Sequence, residues 1–96
     1  MELINNKKEF RFEALLPDGK FITLGYRWLK GSIVLMNTMI PPAAKGNGTE
    51  DLFFAEVLSH VRDHNLKMIV YCATLSQYLK THPEQNDLID GSQQLR

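Results

Sequence analysis

The stretch Ser32-Ile33-Val34-Leu35-Met36-Asn37-Thr38-Met39-Ile40-Pro41-Pro42-Ala43-Ala44-Lys45-Gly46-Asn47-Gly48-Thr49 changes character twice, and the fold follows from those changes. In an extended chain Ile33 and Leu35 share one face while Val34, Met36 and Ile40 share the other, so both faces want burial. Ser32 to Ile40 therefore reads as a central strand. Pro41 and Pro42 stop it, because neither has an N–H to give to a ladder. A loop of small residues follows. Beyond it Leu52, Phe53, Phe54, Val57, Leu58 and Val61 recur at helical spacing, with Glu56, Arg62 and Asp63 opposite. This helix should end near His64-Asn65. Leu66 to Tyr71 is short and mostly apolar, which suits a second buried strand. Strand, helix and strand in that order make a crossover, so the two strands should lie parallel with a right-handed connection.

Upstream, Glu9 to Ala14 alternates, with Phe10, Phe12 and Ala14 on one side and Glu9, Arg11 and Glu13 on the other. Pro17-Asp18-Gly19 then supplies a preset φ, a side chain that bonds its own backbone and a glycine free to take positive φ, hence a hairpin turn. Alternation resumes from Lys20 to Trp28, with Ile22, Leu24, Tyr26 and Trp28 facing one way, and Lys30-Gly31 turns the chain again. These strands should be antiparallel. After the crossover, Thr74 to Thr81 places Leu75, Tyr78 and Leu79 on one helical face before Pro83 breaks it. The expected fold class is α/β: antiparallel strands, one parallel β-α-β crossover and a C-terminal helix. We read residues 1–96 as one domain with flexible ends at 1–8 and 90–96.

The chain has 96 residues, 44% hydrophobic and 23% charged, which suits one small hydrophobic core and excludes a multidomain enzyme. Eleven basic residues balance eleven acidic ones, so overall charge advertises neither nucleic acid nor an acidic membrane. Lys7-Lys8 is too short for a nucleic-acid patch, and the aromatic-basic interleaving of single-strand binders is missing. No run of about 18 apolar residues would span a bilayer. The first eight residues lack the apolar stretch of a signal peptide, and a lone Cys72 forms no internal disulfide. A cytoplasmic, reduced setting is expected.

The loop at Lys45 to Thr49 joins the carboxyl end of a strand to a helix start, a place where ligands bind. The first helical turn has N–H groups without intrahelical partners, Gly46 and Gly48 would let a phosphate approach the backbone, and Lys45 adds a cation. A glycine-rich turn capped by Asn47 or Thr49 is the plainer alternative, and spacing alone leaves both open.

The run Leu35 to Thr49, the helix Leu52 to Val61, and then Cys72, Tyr78, His82-Pro83-Glu84 and Leu88 resemble the small, single-domain branch of the GNAT acetyltransferase superfamily. The resemblance covers more than half the chain and implies a compact GNAT-like fold that moves an acetyl group from acetyl-CoA to an amine, on a small molecule or a protein. It implies that Met39 and Ile40 lie where backbone groups meet the pantetheine arm of coenzyme A. Lys45, Gly46, Asn47, Gly48 and Thr49 would lie where the pyrophosphate is held. Tyr78 falls where many members place a tyrosine near the thioester sulfur, a position for general acid catalysis of thiolate departure. A lone cysteine such as Cys72 reads first as a small buried hydrophobe; its match to a cysteine typical of this branch also raises an acyl-cysteine route with His60, His64 or His82 as base.

Three differences from the family pattern bear on activity. Glu50 and Asp51 put two carboxylates into the first helical turn, favourable for the dipole but opposed to a bound phosphate. Asn37 stands where the branch commonly has His, and Lys45 lacks the planar fork of the Arg often found there. They motivate a second expectation: a catalytically impaired binding or interaction module that keeps the fold. His60 and His64 sit one turn apart without an obvious third ligand, so no metal is expected. Phe53-Phe54 straddles two helix faces, one of which must find cover; a homodimer contact is one way. Tyr26 and Trp28 fit core or interface better than a nucleotide stack.

Overall fold

The computed structural model describes residues 1–91. One five-stranded sheet has the order β1-β2-β3-β4-β5, with β1 at Ile4–Asn6, β2 at Arg11–Leu15, β3 at Phe21–Leu29, β4 at Ser32–Met39 and β5 at Met68–Val70. Neighbours are antiparallel except β4 and β5, which are parallel. Helix α1, Thr49–Asp63, forms the crossover between them, and α2, Ala73–Lys80, follows β5. A 3-10 segment, Pro83–Leu88, begins at the expected helix breaker.

Local chemistry accounts for the turns. Asp18 accepts the Lys20 N–H at 3.0 Å while Gly19 takes φ 84°. Lys30 and Gly31 both have positive φ, 51° and 85°, as a two-residue hairpin with the sheet's twist requires. Residues 4–6, expected within a flexible end, pair instead with β2 as an edge strand. Of the expected flexible segment 90–96, residues 92–96 lie outside the described residues.

The sheet buries one face against both helices. Phe12, Ala14, Ile22, Leu24, Tyr26, Ile33 and Leu35 meet Phe53, Phe54, Val57, Leu58 and Val61 of α1 and Leu75, Tyr78 and Leu79 of α2 in one core. Val34 and Ile69, register partners on the other face, are buried as well, as expected for a strand wanted on both sides. Three alternation readings fail. Phe10 is 43% exposed with φ 55°, because the chain turns there and β2 starts only at Arg11. Trp28 is 51% exposed, its ring edge-on to Tyr26 at 5.8 Å near the end of β3. Glu13 is buried rather than solvated, accepting from Arg11 and Asn6. Phe53 and Phe54 both find cover within the chain, Phe54 packing on Tyr78 at 5.5 Å, so this pair gives no reason for a dimer.

His60, near the end of α1, stands edge-on to Phe12 at 5.2 Å and stacks on His64 at 4.1 Å. Burial holds its pKa below the ordinary 6.5, helped by His64 and Lys7 and opposed by Asp63. The unfolded chain therefore takes up this proton more readily, and stability should fall as pH drops through about 6.5. Urea midpoints measured between pH 8 and pH 5 check this: His60→Gln should flatten part of the decline, and an equally steep decline in that variant would refute the assignment.

Candidate active site

The parallel pair is short. Its ladder runs from Ile33↔Met68 to Leu35↔Val70 and closes with the Tyr71 N–H donating to the Leu35 carbonyl at 2.9 Å. β4 continues beside β3 as far as Met39↔Thr23, so its edge beyond Leu35 faces no strand among the described residues. The strands part because Cys72 turns the chain into α2: it is the N-cap, its sulfur accepting the Leu75 N–H at 3.5 Å. A second irregularity lies alongside. Tyr26 faces Leu35 but Leu24 faces Thr38, so Met36 and Asn37 form a bulge opposite Gly25 and turn Thr38 toward the helices' side. Thr38 Oγ1 reaches the Cys72 sulfur at 2.6 Å across the wedge.

Past the wedge, Pro41 is extended and Pro42–Ala44 makes a 3-10 turn pinned by the fully buried Ala44. Gly46 and Gly48 take φ of 75° and 84°, and a Cβ on either would meet no atom within 4 Å, so the loop surface is open. Asn47 stitches the loop, donating from Nδ2 to the Ala43 carbonyl at 2.8 Å and accepting the Thr49 N–H on Oδ1 at 3.1 Å. Among the described residues, the N–H groups of Gly46, Asn47 and Gly48 donate to no backbone carbonyl. Of the expected phosphate ligands, Thr49 thus has its amide already engaged, while the three before it do not. Glu50 is half-buried and Asp51 exposed in the first turn of α1, and neither forms an ion pair among the described residues.

Tyr78 projects from α2 between two rings, stacked on His82 at 3.9 Å and tilted against Phe54 at 5.5 Å. Burial, with Asp51 and then Glu84 adding negative charge, pushes its phenol above the ordinary 10.0. Among the described residues its hydroxyl has no hydrogen-bond partner. Cys72 is buried, as a small core residue would be, with its sulfur occupied by Thr38 and the Leu75 amide. The histidines considered as its base are dispersed. His60 and His64 sit at the far end of α1, and His60 is about 18 Å along the helix from Gly48 at 1.5 Å per residue. His82 Nδ1 lies 2.8 Å from the Tyr78 carbonyl. Among the described residues, no three His, Cys, Asp or Glu side chains converge as metal ligands, and no helix is long and apolar enough to cross a membrane.

The alternation reading missed a cavity of about 300 Å³ on the opposite face of the sheet. Arg11, Gly25, Arg27, Asn37 and Met39 line it, together with Glu9 and Phe10 from the turn before β2. The signal was present only in part: Arg27 and Gly25 share a strand face, but the bulge that brings Asn37 and Met39 beside them leaves no mark in the pattern. A larger groove, about 670 Å³, lies between the N-terminus and the second half of α1, away from the wedge.

Parted parallel strands beside an open loop at a helix start form a cleft at the carboxyl ends of the sheet, where α/β folds bind ligands. The sequence profile described as GCN5-related N-acetyl-transferase matches residues 11–88. The chain belongs to that family. A similar fold occurs in a GCN5-like protein from Staphylococcus aureus solved in solution by NMR, with a TM-score of 0.63 and 22% identity, covering 94% of this chain and 88% of that one. At that identity the likeness is one of fold. No curated protein matches the chain.

Proposed function

We propose that this chain transfers an acetyl group from acetyl-CoA to an amine, with the wedge between β4 and β5 as the donor site. The observation that carries the reading is the set of N–H groups at Gly46, Asn47 and Gly48 that, among the described residues, donate to no backbone carbonyl, in the loop that follows the β4 edge past its last β5 partner. The residues fit a diphosphate: three donors and two bare glycines, with the exposed Lys45 preceding them in the loop and the positive end of α1 behind. In this reading the backbone at Met39 and Ile40 pairs with the pantetheine arm, and a backbone N–H turned toward the wedge polarises the thioester oxygen. Thr49 serves by holding the loop through Asn47 rather than by giving its amide. Tyr78 keeps its proton at neutral pH and delivers it to the departing sulfur. Acetyl-CoA, as co-substrate, brings the activated acyl group, and positioning supplies much of the rate.

Calorimetry with acetyl-CoA and with CoA tests the donor site: saturable binding of both supports it, and no heat at millimolar ligand leaves only a binding module with this fold. Glu50 sharpens the same measurement. A carboxylate in the first turn of α1 opposes a phosphate there, so Glu50→Gln should tighten CoA about two- to fivefold at low salt. The gain should shrink as salt screens the charge. Equal affinities at low salt would show that Glu50 turns away from the phosphates.

A further inference from the structure

We infer that the cavity across β4 from the wedge is the acceptor site, and that it selects a free α-amino acid with an apolar side chain. The inference rests on the acetyltransfer reading above. β3 alternates, so Thr23, Gly25 and Arg27 stand on the face opposite the core residues Ile22, Leu24 and Tyr26. The cavity lies on that face, its wall formed by Met36, Asn37 and Met39 of the strand whose other edge borders the wedge. Its β4 wall is the side of the cavity nearest the wedge, so an amine held against that wall is the one placed for transfer.

Charge and shape define the ligand. Arg27 is fixed by two contacts, Nη1 donating to the Tyr26 carbonyl at 2.7 Å and the guanidinium lying over the Phe10 ring at 5.3 Å. Among the described residues no carboxylate pairs with it, although Arg11, beside it, is paired with Glu13. Its remaining N–H groups are suited to a carboxylate, for which a planar fork is the best match. Glu9, which forms no ion pair among the described residues, supplies a negative charge on the same rim, suited to an ammonium. Phe10, Met36 and Met39 offer an apolar, adaptable lining. One cation, one anion and an apolar wall complement a zwitterion; a polyamine would meet Arg11 and Arg27, and about 300 Å³ suits a free amino acid better than a folded protein. Phe10 holds its ring under Arg27 at φ 55°, a conformation that persists in a bulky residue only where its surroundings enforce it.

The reaction balances without a further reagent. The ammonium loses a proton to water through Glu9, the amine nitrogen bonds to the thioester carbon as the C–S bond breaks, and the nitrogen sheds its second proton to solvent. The sulfur leaves as thiolate and takes one proton, giving N-acetyl amino acid and CoA thiol.

The test compares L-leucine with 3-methylbutylamine, its counterpart without the carboxylate, in two readouts: amide shifts of the labelled full chain and release of CoA thiol from acetyl-CoA. L-leucine should shift the Gly25, Arg27 and Asn37 amides, with a KM about tenfold or more below that of the amine. Arg27→Gln should remove that advantage while the acetyl-CoA Kd stays within twofold. Gly25→Val fills the cavity from its floor; its Cβ would meet only the Phe10 and Asn37 carbonyls at 3.9 and 4.0 Å, and a branched residue suits a strand. That variant should fold, bind acetyl-CoA and lose the leucine shifts. Equal KM values for the two amines, absent shifts in the unmodified chain, or unchanged shifts in Gly25→Val would each overturn the assignment. Failure of the donor reading is separate: acetyl-CoA then gives no heat, whereas leucine still shifts the cavity amides.

Discussion

Tyr78→Phe is expected to lower kcat for acetyl transfer by about a hundredfold, the lower end of what a positioned acid contributes. The expectation follows from what the hydroxyl does not do. It has no protein partner among the described residues, so its removal breaks no hydrogen bond, and the remaining ring keeps its stacking on His82 and its tilted contact with Phe54. Thermal midpoint and acetyl-CoA Kd should therefore change little while turnover collapses. Burial and the charges of Asp51 and Glu84 raise the phenol above 10.0, so the acid form prevails throughout the neutral range. The alkaline limb of kcat due to this group should accordingly lie above pH 10. Stopped-time thiol release across pH 6 to about 10.5, compared with the Phe variant, checks both statements. A loss of less than about threefold would remove Tyr78 from the chemistry and leave its ring as packing.

Phe54→Ala should lower the unfolding free energy by about 3–5 kcal/mol. Phe54 is 1% exposed and joins the two helices, touching Phe53 on its own helix and Tyr78 on α2. A cavity there has little chance to collapse, since the sheet backs it with rigid β residues. Domains of this size have about 5–15 kcal/mol in total, so the variant should be partly unfolded at 37 °C and its urea midpoint much lower. Phe54→Leu, which keeps most of the volume, should recover much of the difference. A small loss for the alanine variant would mean that the helices reach each other by another contact.

Much of the architecture was legible in local pattern. The prolines at 41 and 42, the spacing from Leu52 to Val61 and the run at Leu66 to Tyr71 each act through neighbours a few residues away, and the β4-α1-β5 crossover followed from their order. So did α2, read from Leu75, Tyr78 and Leu79. The misplaced residues are those whose fate depends on distant partners. Phe10 alternates correctly with Phe12, but a turn takes it out of register, and Trp28 ends up beyond the cover of the core. Ile4–Asn6 is too short and polar to announce itself; it becomes a strand because β2 offers an unpaired edge and Tyr26 donates to Asn5 at 2.6 Å.

The candidate site divides the same way. Glycines at 46 and 48 and a lysine at 45 mark an open loop before a helix, and that much needs no coordinates, because positive φ and a missing Cβ are properties of the residue type. That Asn47 holds Thr49, that Cys72 spends its sulfur on Thr38 and a helix cap, and that His60 and His64 lie far from both required the folded chain. Sequence alone determined which segments bury a face and where the chain must turn, since hydrophobic spacing and backbone sterics are local. Tertiary structure alone decided where β4 and β5 part, and which polar groups beyond that point keep a free valence. Those outcomes depend on a bulge opposite Gly25 and on a helix beginning at Cys72, contacts between residues far apart in the chain.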